Sequence, residues 1–414
     1  MDKLGGVKYW GAATSSHQVE GKTHNQWTAW ELEHAVEAAT TAEARYSHWL
    51  PKWEEIKNEA STPENYVSGI AVDHFERYEE DFDLARELNL NAFEFSVEWS
   101  RIEPEEGQWD EQAIEHYRAV IRALRHRGIE PFCKLWHWTN PVWFEQKGAF
   151  AKRANLKYFE RFVEKITGEL HDELSFVLTI NEPNVYAGLS YQKGIWPPGL
   201  KSGLKALNVY RNLLRAHRRA YRVIKSIKPE LRVGFSHHIT WFYAEGGLVA
   251  KAAARMQAWT WNWWFLNRAR RSQDFIGVNY YQSSRHRGLK SDNPNQRRND
   301  LGWDMQPAHI EFVLAEVHRR YGRPIIITEN GLADRADKDR QWWLEETLKA
   351  INRAIGQGAA VEGYLHWSLL DNFEWADGFW PRFGLIEVER GSLTRRIRPS
   401  ARWLAQTIQT VRLR

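Results

Sequence analysis

At 414 residues, 43% hydrophobic and 27% charged, the chain has the apolar content for a large core and lies outside the compositional range of disordered or fibrous proteins. Its formal charge of +4 comes from interspersed Lys, Arg, Asp and Glu, and its two basic clusters, residues 268–271 and 395–398, are too short to serve as a nucleic-acid surface. A single cysteine, Cys133, excludes an internal disulfide and a cysteine-built zinc site. The amino end has neither a basic segment leading into an apolar run nor a stretch of about 18 apolar residues, so a cytoplasmic protein without a membrane partner is expected. The 23 tryptophans fit either an aromatic-rich core or the stacking surfaces that sugar faces require.

Short apolar runs alternate with longer helical patterns along the whole chain, which predicts repeated βα units around a parallel sheet. Strands are expected near residues 8–14, 91–99, 130–138, 176–183, 231–239, 275–281, 324–331 and 361–371. Eight such strands close a barrel. Amphipathic stretches at 73–88, 111–127, 155–170, 204–227, 309–321 and 342–355 have apolar residues at helical spacing and would form the outer ring. Gly128, Gly322 and Gly358 fall just after three of them, where a left-handed cap is needed. Residues 22–68 and 283–303 break the alternation and are expected as loops over the face where the strands end. The fold class predicted is α/β, a single (β/α)8 TIM barrel spanning residues 1–414.

In such a barrel the functional side chains project from the carboxyl ends of the strands. Those ends carry Gln18 and Glu20, Glu98 and Arg101, His137 and Trp138, Asn181 and Glu182, His237 and His238, Asn279 and Tyr281, Glu329 and Asn330, and Trp367 and Asp371. Two glutamates, Glu182 and Glu329, follow purely apolar runs, so buried backbone delivers each to a fixed point. Cleavage of a glycosidic bond needs one carboxyl group that gives a proton to the leaving oxygen and a second held ionised against the anomeric carbon. Acids at helix starts provide an equally simple explanation of both positions, and spacing alone does not choose.

An ordered series of motifs does. Residues 10–21 read Trp-Gly-Ala-Ala-Thr-Ser-Ser-His-Gln-Val-Glu-Gly, and 95–102 read Phe-Ser-Val-Glu-Trp-Ser-Arg-Ile. Then come Trp136-His137-Trp138, Thr179-Ile180-Asn181-Glu182-Pro183, Gly277-Val278-Asn279-Tyr280-Tyr281 and Ile327-Thr328-Glu329-Asn330-Gly331. The last, 367–375, reads Trp-Ser-Leu-Leu-Asp-Asn-Phe-Glu-Trp. Over nearly its whole length the sequence resembles glycoside hydrolase family 1, the β-glucosidase family. The resemblance implies a retaining β-glycosidase with Glu182 as acid/base and Glu329 as nucleophile. It also implies that Gln18, His137, Asn181 and Glu374 hold the hydroxyls of the sugar beside the scissile bond. Asn181 would meet the 2-hydroxyl and Tyr281 support the nucleophile, with Asn279 of the same motif among the substrate-binding residues, while Trp367 and Trp375 shape and stack the pocket and Trp138 and Phe383 wall it. No cofactor or metal is implied, and the expected partner is a small-molecule β-glycoside or oligosaccharide. The Ser and Lys pattern by which the 6-phospho branch reads phosphate is absent from residues 374–380, which points to an unphosphorylated sugar.

One position departs from the pattern. The family usually has an arginine before the Phe-Ser pair of the second strand, where this chain has Glu94. Alternation puts Glu94, Ser96 and Glu98 on the inward face, so Glu94 is expected beneath the site, close to Glu329. A carboxylate in place of a cation favours the protonated, unreactive form of Glu329. Three outcomes follow from the sequence: a neutral Glu94 that donates a hydrogen bond, another group such as Arg101 swinging in, or much reduced activity. The expectation is an active but weakened enzyme with its acidic limb moved upward, in which Glu94→Arg raises turnover near neutral pH. A sugar-binding barrel with little catalysis, and an enzyme that transfers to a second sugar, are the competing readings. Between the fifth and sixth strands, Trp241, Trp259, Trp261, Trp263 and Trp264 are expected mainly as core residues and alternatively as an aglycone platform. His237 and His238 are expected as a structural pair.

Overall fold

The computed structural model describes residues 2–293 and 297–413. Eight parallel strands close a barrel in chain order: β1 (Tyr9–Ala13), β2 (Ala92–Ser96), β3 (Glu130–Lys134), β4 (Phe176–Asn181), β5 (Arg232–His238), β6 (Ile276–Asn279), β7 (Ile325–Asn330) and β8 (Val361–Trp367). β1 pairs with both β2 and β8, which leaves no free edge. Every predicted strand is present. Each stops earlier than the sequence suggests, by the widest margin at Ser96, Lys134 and Trp367. Beyond those points the backbone turns; Trp138, for example, adopts φ +71°, which no strand can contain.

The six predicted helices form as His74–Glu87, Glu111–His126, Leu156–Leu170, Gly203–Ile227, Ile310–Tyr321 and Arg340–Gly356. Gly128, Gly322 and Gly358 close three of them with φ of +70°, +57° and +100°. Further helices escaped the periodicity, among them Leu248–Ala258, with five Ala in eleven residues, and Pro399–Arg412, which follows β8 with Pro399 in its first turn. The basic cluster 395–398 is structural, since Arg395 pairs with buried Asp81 and Arg398 with buried Asp371.

The two irregular segments lie over the strand ends as expected, but they are not simple loops. Residues 22–68 contain the helices Gln26–Thr40, Ala42–Tyr46 and Trp53–Ala60. The first starts from a reciprocal cap between Asn25 and Thr28 and buries Trp27, Ala35 and Ala39, a sparse stripe that a search for longer apolar patterns passes over. Ser283–Arg287 and Lys290–Asp292 are strands of a small sheet with Trp241–Ala244; residues 294–296 of this segment lie outside the described residues.

Inside the barrel the floor is aromatic. Tyr9, Phe132, Phe176 and Phe275 meet with ring centroids 4.2–5.9 Å apart, mostly edge to face. Above this floor the inward positions turn polar, with Glu94 on β2 and Lys134 on β3 both fully buried. Outside, Phe93, Phe95 and Val97 pack with the helices.

Candidate active site at the strand ends

The last residue of β4, Asn181, is followed by Glu182 in the left-handed region (φ +37°) and by Pro183 opening a short helix, Pro183–Tyr186. That turn leaves the Glu182 side chain over the barrel mouth. From β7, Glu329 is in register with Asn279 of β6. A Cβ added at Gly331 would stand 1.8 Å from the Trp367 carbonyl oxygen, so only glycine lets the chain leave β7 beside β8. Both glutamates are 3% exposed.

Their surroundings differ. Glu329 accepts a hydrogen bond from the Tyr281 hydroxyl at Oε2 (2.8 Å) and from the Lys134 ammonium at Oε1 (3.3 Å). Glu182 accepts at Oε1 from the Asn279 amide (2.7 Å), whose own oxygen is fixed by the Thr328 hydroxyl (2.6 Å). Burial, followed by the charge of Glu329, holds the Glu182 carboxyl well above the usual carboxylate range. Burial raises Glu329 too, but Lys134 and Tyr281 oppose it.

The remaining predicted residues converge on this pair. The Asn181 amide donates to His137 Nε2 (3.0 Å), and the Trp138 indole donates to the Asn181 carbonyl (2.9 Å). Gln18 donates to the Phe373 carbonyl (2.6 Å), which ties the loop after β1 to the segment that carries Glu374. Trp375 stacks on His17 (5.4 Å) and lies 5.0 Å from Trp138 and 6.0 Å from His137. Trp367 stands 5.9 Å from His137, and Phe383 lies 6.3 Å from Tyr281. His137 Nδ1 and Glu374 Oε2 are buried with no hydrogen-bond partner, and Glu374 is held well above its ordinary range by burial, then by Asp377 and Glu329.

Other polar strand ends belong to the scaffold. Arg101 pairs with Glu20 (2.9 Å) and does not reach Glu329. Glu98 accepts from Ser16, Thr139 and Ser100. Asp371 is held by Arg398, and Asn330 donates to the Tyr280 carbonyl. His237 faces the carbonyls of Trp261 and Asn262, whereas His238 Nδ1 accepts from the Trp261 indole (3.1 Å). No group of three or more metal-ligating side chains is assembled among the described residues. The core reading of the tryptophans suits Trp263, which is buried. It does not suit Trp259 and Trp261, which line a groove of about 540 Å3 together with Asn184, Leu207 and Arg211.

The sequence reading missed Lys134. It takes the place of the expected arginine from the neighbouring strand, forms an ion pair with Glu94, and donates to Asn181 Oδ1 (2.7 Å) as well as to Glu329. The expectation that Glu94 strips Glu329 of its cation is therefore corrected. Glu94→Arg would set a guanidinium against Lys134 and break this buried pair, at a cost of about 3–5 kcal/mol. A lower thermal unfolding midpoint should show it, and a midpoint at or above that of the parent would contradict this placement.

Comparison with known proteins places the chain in a family. The model of Glycosyl hydrolase family 1 matches residues 7–273 and 266–412. The chain belongs to this family. Among family 1 relatives, "Beta-glucosidase A" of Acetivibrio thermocellus is 28% identical over 97% of both chains, and "Beta-galactosidase" of Sulfolobus acidocaldarius is 30% identical over 78% of this chain and 81% of its own. The crystal structure of a β-glycosidase from Pyrococcus horikoshii superposes with a TM-score of 0.84 at 35% identity, covering 98% of this chain and 94% of that one. This chain is a family 1 glycoside hydrolase of the β-glucosidase type, on the (β/α)8 barrel that its sequence predicts. Among the described residues no helix is long and apolar enough to cross a membrane.

Proposed function

We propose that the enzyme hydrolyses β-linked glucosides, with galactosides and fucosides as further substrates, by double displacement with retention. The observation that carries this reading is the unlike setting of two buried carboxyls: Glu329 is hydrogen-bonded by Lys134 and Tyr281, and Glu182 is pushed toward its protonated form by burial and by Glu329. In the first step Glu329 attacks the anomeric carbon, the glycosidic C–O bond breaks, and the Glu182 proton passes to the leaving oxygen. In the second step Glu182 takes a proton from water, the resulting hydroxide displaces Glu329, and the β-anomer is released.

Gln18, His137, Asn181 and Glu374 bind the hydroxyls of the sugar, with Trp367 and Trp375 stacking on it and Trp138 and Phe383 along the wall. The unpartnered His137 Nδ1 and Glu374 Oε2 support this, because buried polar atoms gain most from a hydroxyl that completes them. The Glu374 carboxylate also disfavours a phosphorylated sugar. Asn279 and Tyr281 position the two carboxyls.

Proton NMR of the first-formed product from p-nitrophenyl β-glucoside tests the reading: β-glucose should appear first and mutarotate later. Immediate α-glucose would establish inversion and sink the double displacement. The same spectra distinguish transfer to a second sugar, which would accumulate disaccharide. Glu94 was the one feature favouring a barrel that binds sugar without cleaving it, and its pairing with Lys134 removes that support.

Tyr281→Phe gives a signed pH prediction. The hydroxyl stabilises the ionised form of Glu329, so its loss should move the acidic limb of kcat/KM upward by about one unit, leaving the alkaline limb in place. An unshifted acidic limb would mean that Tyr281 does not set the titration of Glu329.

A further inference from the structure

Glu94 and Lys134 are both fully buried, yet their surroundings are unequal. The Lys134 ammonium reaches three acceptors from three strands: Glu94 on β2, Asn181 Oδ1 on β4 and Glu329 Oε1 on β7. Among the described residues the Glu94 carboxylate has Lys134 as its one ion-pair partner, and neither of its oxygens has a hydrogen bond of normal geometry. A carboxylate this deep with no other contact serves the cation beside it. Removed from water and from Lys134, it would cost several kcal/mol.

From this arrangement we infer that Lys134 is a positioning residue for the double displacement, and that Glu94 is its counter-ion when Glu329 is esterified. The inference rests on the assignment of Glu329 as nucleophile. Lys134 pins one oxygen of Glu329 and, through Oδ1, turns the Asn181 amide nitrogen toward His137 and the sugar side of the site. When Glu329 becomes a neutral ester in the covalent intermediate, it no longer balances the ammonium. Glu94 then supplies the negative charge that keeps Lys134 ionised in the interior, so the cation stays in place to receive the carboxylate as it departs. A single arginine would have to find that balance elsewhere.

The charged and titratable groups that face Glu329 are Lys134 on β3, Glu94 on β2, Glu182 after β4, Tyr281 after β6 and Glu374 after β8, with His137 beside Lys134. Burial raises the Glu94 carboxyl, Lys134 pulls it down and Glu329 adds to the rise, while Glu94 and Glu329 together keep the buried Lys134 above its ordinary range. Lys134 therefore lowers, and Glu94 raises, the titration of Glu329. The two side chains, although bonded to each other, push it in opposite directions.

The test uses that opposition. Lys134→Gln, Glu94→Gln and the double variant are measured for the acidic limb of kcat/KM with p-nitrophenyl β-glucoside. The Glu329 carboxyl is also titrated directly by 13C NMR of glutamate-labelled protein, with Glu329→Gln identifying the signal. Lys134→Gln should move both readouts up by about one unit or more, Glu94→Gln should move both down, and the double variant should fall between them. Two residues that merely hold the fold would lose activity together and leave the limb where it was. Shifts in the same direction, or no shift, overturn the inference. If Lys134→Gln does not fold, Glu94→Gln and the double variant decide: an upward shift in Glu94→Gln is equally fatal. The NMR titration needs no turnover, so it separates failure of this inference from failure of the proposed reaction, which would show as activity surviving in Glu329→Gln.

Discussion

Glu329→Gln should lower kcat on p-nitrophenyl β-glucoside by about four to six orders of magnitude. The amide keeps the volume of the side chain and an oxygen for Tyr281, but it has no charge to attack with. The fold should survive, because Lys134 retains Glu94 and Asn181 and the strand carrying position 329 is buried on both faces. The pairing of lost turnover with a nearly unchanged thermal midpoint identifies the nucleophile. A variant that keeps more than about one part in a hundred of the parent rate would show that another group attacks.

Glu182→Ala should have the second largest effect, and one that depends on the leaving group. General acid catalysis contributes about 10²- to 10⁴-fold, and an alkoxide needs all of it, whereas p-nitrophenolate departs without a proton. An alkyl β-glucoside should therefore lose about a hundredfold more activity in the glycosylation step than the p-nitrophenyl substrate. In the second step water loses its base, so p-nitrophenol should appear as a burst followed by slow turnover. Azide needs no base; added to the variant it should restore turnover and give the β-glucosyl azide. Equal losses on both substrates would assign proton donation to a residue other than Glu182.

Most of the barrel was legible because its signals are local. Each strand is a short apolar run, each long helix has a wide apolar stripe, and Gly128, Gly322 and Gly358 mark where helices must turn. The two catalytic candidates and their sugar-side neighbours were readable as motifs for the same reason. Lys134 was not, although the information was present. It is in phase with inward-facing Phe132, two residues earlier, but it ends an apolar strand, where a lysine ordinarily extends its ammonium to water. The run to Trp138 also looked like one continuous strand, which drew attention to His137 and away from the true strand end. What decides its role is the ladder that sets β2 beside β3, with Glu94 opposite Phe132 and Ser96 opposite Lys134, and no local pattern contains that. Thr328 was missed similarly: its hydroxyl matters only because Asn279 of the adjacent strand needs its amide turned.

The closure of β1 against β8 has a consequence for how activity arises during synthesis. Gln18 leaves the ribosome well before its partners Asn372 and Phe373, which follow more than three hundred positions later, and β1 finds its second neighbour only when β8 arrives. A nascent chain that has emerged only as far as β7 holds Glu182, Glu329, Glu94 and Lys134 but still lacks Glu374, Trp375 and the anchor for Gln18. Cleavage therefore cannot begin before the barrel has closed, and turnover reports on the completed molecule rather than on any part of it.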